Sequence, residues 1–368
     1  MARQTVHSAE DLEAEDLVRL GECVRDIVAR LGYGNGSSHE AILFREAVDE
    51  AMYLLTLRQG SRASRNELYA QRGFPPSKSP PLAMEDLAQD IINRSFARNE
   101  EARPTQAALR ERVRFALALD PRCADAYHLQ GEIEEHTGHY QKAQASYEQA
   151  MEIAAEKLGL DAFRRDVQTG HHLHFWYSEG TRPYMQARAA LAHLLWRKLN
   201  KLEEAISHFQ ELLRLNPGDN QGNRHAFLCC LLESGDDSAL EAALEQCRTY
   251  SEAALEPVDI TDTCWWYAYA CWQFRRHRSS TGESSTPKEA TKALRKAFTY
   301  NRHVPHLLLH PEDLRAIPDS WHYAPGDIHE AAWVVDYSVS AWQRTPGALT
   351  WLETVARRAK LLSTKAKG

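Results

Sequence analysis

The sequence predicts an all-α fold built from antiparallel helix pairs, on three observations. Alternation of β-branched residues never lasts beyond a few positions, so strand signals are almost absent. Apolar residues recur instead at helical spacing along most of the chain. Through its middle, small and aromatic residues also return at a fixed phase, which is the mark of a repeat.

The strongest repeat is "ADAYHLQGEIEEHTGHYQKAQASYEQAMEIA", from Ala124 to Ala154. It fits the 34-residue tetratricopeptide pattern, a helix–turn–helix unit. Tyr127 stands at its fourth position, Gly131 at its eighth and Gly138 at the turn, followed by Tyr140, Ala143, Tyr147 and Ala150. Gly131 and Ala143 belong where the two helices cross most closely, with Tyr127 and Tyr147 filling the space they leave. Gly138 suits the backbone turn between them. The predicted fold is therefore a right-handed tetratricopeptide-like helical-hairpin solenoid.

Taken in order, residues 1–59 read as an N-terminal helical hairpin, "SAEDLEAEDLVRLGECVRDIVARLGY" and "HEAILFREAVDEAMYLLTLRQ", joined by the turn-rich "GYGNGSS". Residues 60–81, with four prolines and little periodicity, read as a linker. Residues 82–304 hold the repeat array of about five helix pairs. Ala116 takes the close-packing place in the pair before Tyr127, and Ala205, Phe209 and Leu212 carry the phase in the pair after it. Phe227, Leu228, Gly235, Leu240 and Leu244 continue it. A degenerate fifth pair, "DTCWWYAYACWQF" and "PKEATKALRKAFTYN", is expected to be split by a loop over 275–287. An insert near 156–182 interrupts the array; it should extend the preceding helix to about Asp166 and then form a loop. Residues 305–368 read as a proline-punctuated C-terminal helical cap that hides the end of the repeat core, with a frayed tail.

Charge and composition exclude some functions. A net charge of −7 argues against general nucleic-acid binding, which needs a basic excess. No apolar run approaches the roughly 18–20 residues that span a bilayer. The N-terminus resembles neither a secretory signal nor a transit peptide, so a cytoplasmic protein is expected. Seven cysteines without a C-x-x-C read as buried thiols acting as small hydrophobes. No catalytic motif is found: there is no G-x-S-x-G, Walker loop, H-E-x-x-H or G-x-G-x-x-G. No cofactor is implied.

The chemistry-bearing residues gather at "HHLHFWYSEGTRPYMQARAALAHLLW", residues 171–196. His172 and His174 have the H-x-H spacing of a metal pair, yet no Cys, Asp or Glu stands nearby at ligand spacing. A metal-dependent enzyme or enzyme accessory using the His171–His174 loop is the alternative reading. Thr181 followed by Pro183 marks a helix start, and Phe175 and Trp176 read as anchors for the incoming loop. Arg182 and Arg188 suit bidentate recognition of carboxylates, or pairing with Glu179 or with neighbouring helix ends. In "NPGDNQGNR", Pro217 and Gly218 end one helix, and Asp219 or Asn220 caps the next. Gln221 and Arg224 then stand at its first turn. Arg182, Tyr184, Arg188, Gln221, Arg224 and His128 are the candidate partner contacts. The clamp by which some tetratricopeptide domains grip a chaperone's terminal carboxylate is absent, because its positions hold His128, Glu132, His225 and Cys229.

From residue 175 to 224, "FWYSEGTRPYMQARAALAHLLW" and "EEAISHFQELLRLNPGDNQGNR" resemble the tetratricopeptide proteins related to suppressor of tumorigenicity seven, through a T-R-P-Y-M-x-A-R entry and an L-N-P-x-D-N-Q-G exit. The tail segments "RKAFTYNRHVPHLLL", "PGDIHEAAWVVDYSVSAW" and "RTPGALTWL" resemble microbial proteins of the same kind. The resemblance covers roughly residues 120–355 and implies an all-helical repeat protein without an established catalytic activity. The expectation is a non-catalytic scaffold binding a protein or peptide segment along a concave face, with self-association as a further option.

Overall fold

A computed structural model describes residues 84–93, 105–164, 175–253, 262–281, 287–318 and 324–362. The predicted N-terminal hairpin and linker lie outside these residues, as do the histidines at 171, 172 and 174 and the predicted frayed tail. Among the described residues every regular element is a helix. The described residues fall into two compact units, those up to 164 together with 175–194, and those from 195 onward.

In the first unit, α1 (Met84–Asn93) pairs with α2 (Gln106–Leu119), and α3 (Ala124–His136) with α4 (Tyr140–Leu158). Thr105 starts α2 by accepting a hydrogen bond from the Ala108 amide at 3.2 Å. Ala88 and Ile92 of α1, Val113, Phe115 and Ala116 of α2, and Ala126, Leu129 and Ile133 of α3 form one buried core. Within the α3/α4 pair the small-against-large scheme holds. A Cβ on Gly131 would sit 2.5 Å from Cδ1 and 2.9 Å from Cζ of Tyr147, so only glycine fits there. Tyr147 is buried, and its hydroxyl donates to Glu135 at 3.0 Å. Gly138 turns the chain with φ +80°.

The insert departs from expectation. Rather than continuing to Asp166, α4 stops at Leu158, because Gly159 takes φ +75° and breaks the hydrogen-bond ladder. The short α5 (Leu160–Arg164) follows. Two 3-10 turns, Phe175–Tyr177 and Glu179–Thr181, then lead into α6 (Arg182–Arg197), whose residues through Leu194 belong to the first unit.

In the second unit come α7 (Leu202–Leu215), α8 (Asn223–Ser234), α9 (Asp237–Ala253), α10 (Thr263–Thr281) and α11 (Lys288–Tyr300). They keep the repeat phase: Ala205, Phe209, Leu212, Leu228, Leu240 and Leu244 are all buried. The loop expected over 275–287 is helical to Thr281. Its arginines explain this, since each is anchored rather than free. Arg275 donates to the Leu232 carbonyl at 2.7 Å and pairs with Asp237. Arg276 and Arg278 lie over the rings of Trp272 and Phe274, each four residues back on the same helix face.

The tail forms α12 (Val304–Leu309), a 3-10 turn (Pro311–Ala316), α13 (Ile328–Arg344) and α14 (Ala348–Arg358). It does more than cover the last pair. α13 packs along α8 and α10, the first helices of two consecutive pairs, and also against α12. Its buried stripe of Ala331, Val334, Val335, Ser338, Ala341 and Trp342 makes this possible, with small residues allowing close approach. Glu233 of α8 fixes the register: it accepts from Trp196 Nε1, Ser340 Oγ and Arg344 Nη1, each at 3.0 Å. Cys229, Cys230, Cys264 and Cys271 are buried free thiols inside this unit, as the sequence suggests.

Candidate functional site

The turn into α6 is built from aromatic rings. Phe175 is buried against Phe163, with centroids 5.4 Å apart, and Tyr184 stands edge-on to Phe163 at 4.9 Å. The Thr181 hydroxyl donates to the carbonyls of Phe175 and Ser178, locking the turn ahead of Pro183. Phe175 is thus the anchor its position suggests.

Both arginines of this turn rest on rings. The Arg182 guanidinium lies 5.6 Å from the Trp176 ring centroid, and its Nε donates to the Trp176 carbonyl at 3.2 Å. The Arg188 guanidinium lies 5.7 Å from the Tyr184 centroid and donates to the Tyr184 hydroxyl. Arg188 Nε is buried without a hydrogen-bond partner. Of the expected alternatives, pairing with Glu179 does not occur, whereas Arg182 does meet the preceding 3-10 turn at the Trp176 carbonyl; among the described residues neither guanidinium meets a carboxylate. At 100° per residue the two stand about 120° apart around α6 and about 9 Å apart along it, so they do not clamp one group together. Each offers a separate cationic fork beside an aromatic ring.

Other candidates lie elsewhere. His128 of α3 is buried against Tyr147, with centroids 5.7 Å apart, and burial pulls its pKa down to about 4. Its Nε2 stands 3.9 Å from Glu132, whose carboxyl is pushed up to about 7 by burial and by the neighbouring charge of Glu135. Asp125, on the same helix, is likewise raised by burial, while a hydrogen bond from Gln89 opposes the shift. The tetratricopeptide pattern marks His128 and Glu132 as inner positions of α3, whereas Asp125, one turn earlier on the same face, is not singled out by the sequence.

Gln221 and Arg224 belong to the second unit and to the cap of α8. Asp219, with φ +48°, accepts from the backbone amides of Asn223 at 2.7 Å and Arg224 at 2.9 Å. Its second oxygen also takes the Arg224 Nε at 2.9 Å. Asp219 therefore caps α8, and Arg224 neutralises the cap. Gln221 accepts from Asn223 Nδ2 at 3.4 Å.

Sequence reasoning passed over a further polar group at the start of α10. Asp262 caps that helix through the Trp265 amide at 2.9 Å and pairs with His225 of α8. The histidine's charge holds the Asp262 carboxyl below its usual range against the cost of burial. Trp333 of α13 meets the His225 ring edge-on at 4.9 Å. His225 and Trp333 stand 108 positions apart in the sequence, too far for any local pattern to flag the contact in advance. Among the described residues no group of three or more His, Cys, Asp or Glu is arranged to hold a metal ion, and no helix is long and apolar enough to cross a membrane.

A family model described as ST7 protein matches residues 87–365. The suppressor of tumorigenicity 7 protein of Macaca fascicularis is 26% identical over 257 residues, covering 65% of this chain and 44% of that protein. Those of Rattus norvegicus and Mus musculus are also 26% identical, with 40% of each covered. The chain thus spans less than half the length of the curated relatives it matches. Among solved structures, YrrB, titled a TPR protein with an unusual peptide-binding site, aligns with 65% of this chain and 92% of its own. Its identity is 17% and its TM-score 0.37, too loose a likeness to carry a functional argument. The family match runs from α1 through α14 over well over half the sequence, and this chain belongs to the ST7 protein family.

Proposed function

We propose that this helical repeat protein is a non-catalytic scaffold that binds another protein, and that Arg182 and Arg188 on α6 contact it. One observation carries the reading: two guanidiniums held on aromatic rings, half-buried, with no carboxylate partner among the described residues. A cation shielded from water ordinarily has a counter-charge. Here the matching group is a carboxylate on the partner, which each planar fork can accept bidentately. Tyr184 contributes as the platform beneath Arg188 rather than as an exposed contact, being 5% exposed.

Two other candidates are already engaged within the chain. Arg224 is already neutralised by Asp219, and His128 is enclosed. In the second unit α13 covers the first-helix side of α8 and α10, where a tetratricopeptide groove would run, which favours the first unit as the docking side.

The test is quantitative co-purification from the native host using the full chain, with Arg182→Gln, Arg188→Gln and the double variant. The double variant is expected to lose at least tenfold of a specific partner while keeping the wild-type melting temperature. Partners retained equally by the folded double variant would contradict the assignment.

A further inference from the structure

The stretch "HVPHLLLHPED", residues 303–313, passes from α12 into the 3-10 turn at Pro311 and carries histidines at helical spacing. Val304, Leu307 and Leu308 are buried in the packing of α12 on α13 and α14. His306 and His310 face outward, with side chains 52% and 44% exposed. Their ring centroids lie 5.0 Å apart.

Each imidazole also has its own carboxylate. His306 Nε2 stands 2.8 Å from Asp313 Oδ2, and His310 Nδ1 stands 3.5 Å from Glu312 Oε1. An ionised carboxylate only accepts, so the hydrogen-bonded His306 Nε2 carries a proton, while His310 Nδ1 approaches Glu312 as an ion pair without a hydrogen bond. In the neutral His306 ring the lone pair is then left on Nδ1. A carboxylate behind an imidazole fixes its tautomer and makes the opposite nitrogen a better ligand. With the His310 ring in contact with it, four residues on and also exposed, two imidazoles stand where both could reach one ion, water completing the shell.

We propose that His306 and His310 form a surface site for a late first-row dication, copper(II), nickel(II) or zinc(II), at the elbow between α12 and the 3-10 turn Pro311–Ala316. Imidazole donors select these ions in the order copper above nickel and zinc, whereas magnesium and calcium require oxygen ligands. Only two side chains ligate, in keeping with the lack of any three-ligand group among the described residues. Binding ties the end of α12 to the turn that follows it. This site is independent of the Arg182 and Arg188 surface.

Calorimetric titration of the full chain, stripped of metal, with nickel(II) tests this. One binding event is expected that weakens at least tenfold in His306→Ala and again in His310→Ala, and by a smaller factor in Asp313→Asn. The exposed His139, changed to Ala, should leave it untouched, and circular dichroism should show all variants equally helical. The proposal fails if the event survives in the His306→Ala/His310→Ala double variant, if no event appears below millimolar nickel, or if magnesium displaces it. Binding that survives the double variant belongs to other histidines among the 17 in the chain.

Discussion

His128 shows how one side chain sets a pH response. Burial holds its pKa near 4, below the unfolded value near 6.5. The unfolded chain therefore binds the extra proton first as pH falls, and stability drops between about pH 6.5 and 4. A shift of this size corresponds to at most about 3 kcal/mol. Glu132 opposes it: its raised pKa favours the folded state at low pH, a contribution lost as pH rises from about 4.5 to 7. That side chain is 45% exposed, so solvent screening weakens its share and the histidine should dominate. Denaturant titrations at pH 7 and pH 4.5 are expected to show the wild type losing stability on acidification and His128→Leu losing clearly less. Equal losses would remove His128 from the account. The sequence identified His128 as notable but assigned it to a partner, since its type and repeat position do not reveal how deeply Tyr147 encloses it.

At the level of elements, most helices were legible and some ends were not. Glycines at repeat turns, such as Gly138 and Gly235, announce themselves, as does the Asp219 cap behind Pro217. Replacing Asp219 by Ala removes two amide acceptors and leaves Arg224 uncompensated; a loss of about 1–2 kcal/mol on chemical denaturation is expected. Asn220→Ala, a neighbour without a bond to α8, should change stability by less than about 0.5 kcal/mol. Two ends were misread. The α4 break at Gly159 lies within an apolar-periodic run, where a glycine reads equally well as tolerated. The α10 extension is rich in Arg and Ser and reads as loop, until the anchoring of Arg275 on Asp237 and of Arg276 on Trp272 is seen. Those anchors depend partly on residues more than thirty positions away, which no local window contains.

For the molecule as a whole, the tail segment is the main lesson. Its richness in Trp, Leu and Val predicted a cap, but not that α13 would lie along both α8 and α10. The pairing joins residues about a hundred positions apart, as in the bond from Ser340 to Glu233, and depends on complementary small residues rather than a motif. Its consequence can be read chemically. Cys229 and Cys230 of α8 and Cys264 and Cys271 of α10, the two helices that α13 packs along, are buried, and burial raises the pKa of the Cys230 and Cys271 thiols. In the native protein these four should resist alkylation by iodoacetamide, as mass spectrometry would show, and all should react in denaturant. Rapid native labelling of Cys229 or Cys230 would mean that α13 does not stay on α8.

The central claim is that helices stack in pairs because a small residue on one admits a large ring from the other. Gly131 and Tyr147 test it most directly in a double-mutant cycle measured by chemical denaturation. Gly131→Ala alone should cost about 1–3 kcal/mol, since the added methyl meets the Tyr147 ring. In a Tyr147→Leu background the same change should cost much less, giving a coupling of at least about 1 kcal/mol. Additive costs, within about 0.5 kcal/mol, would show that the two side chains do not share one crossing and would contradict the account.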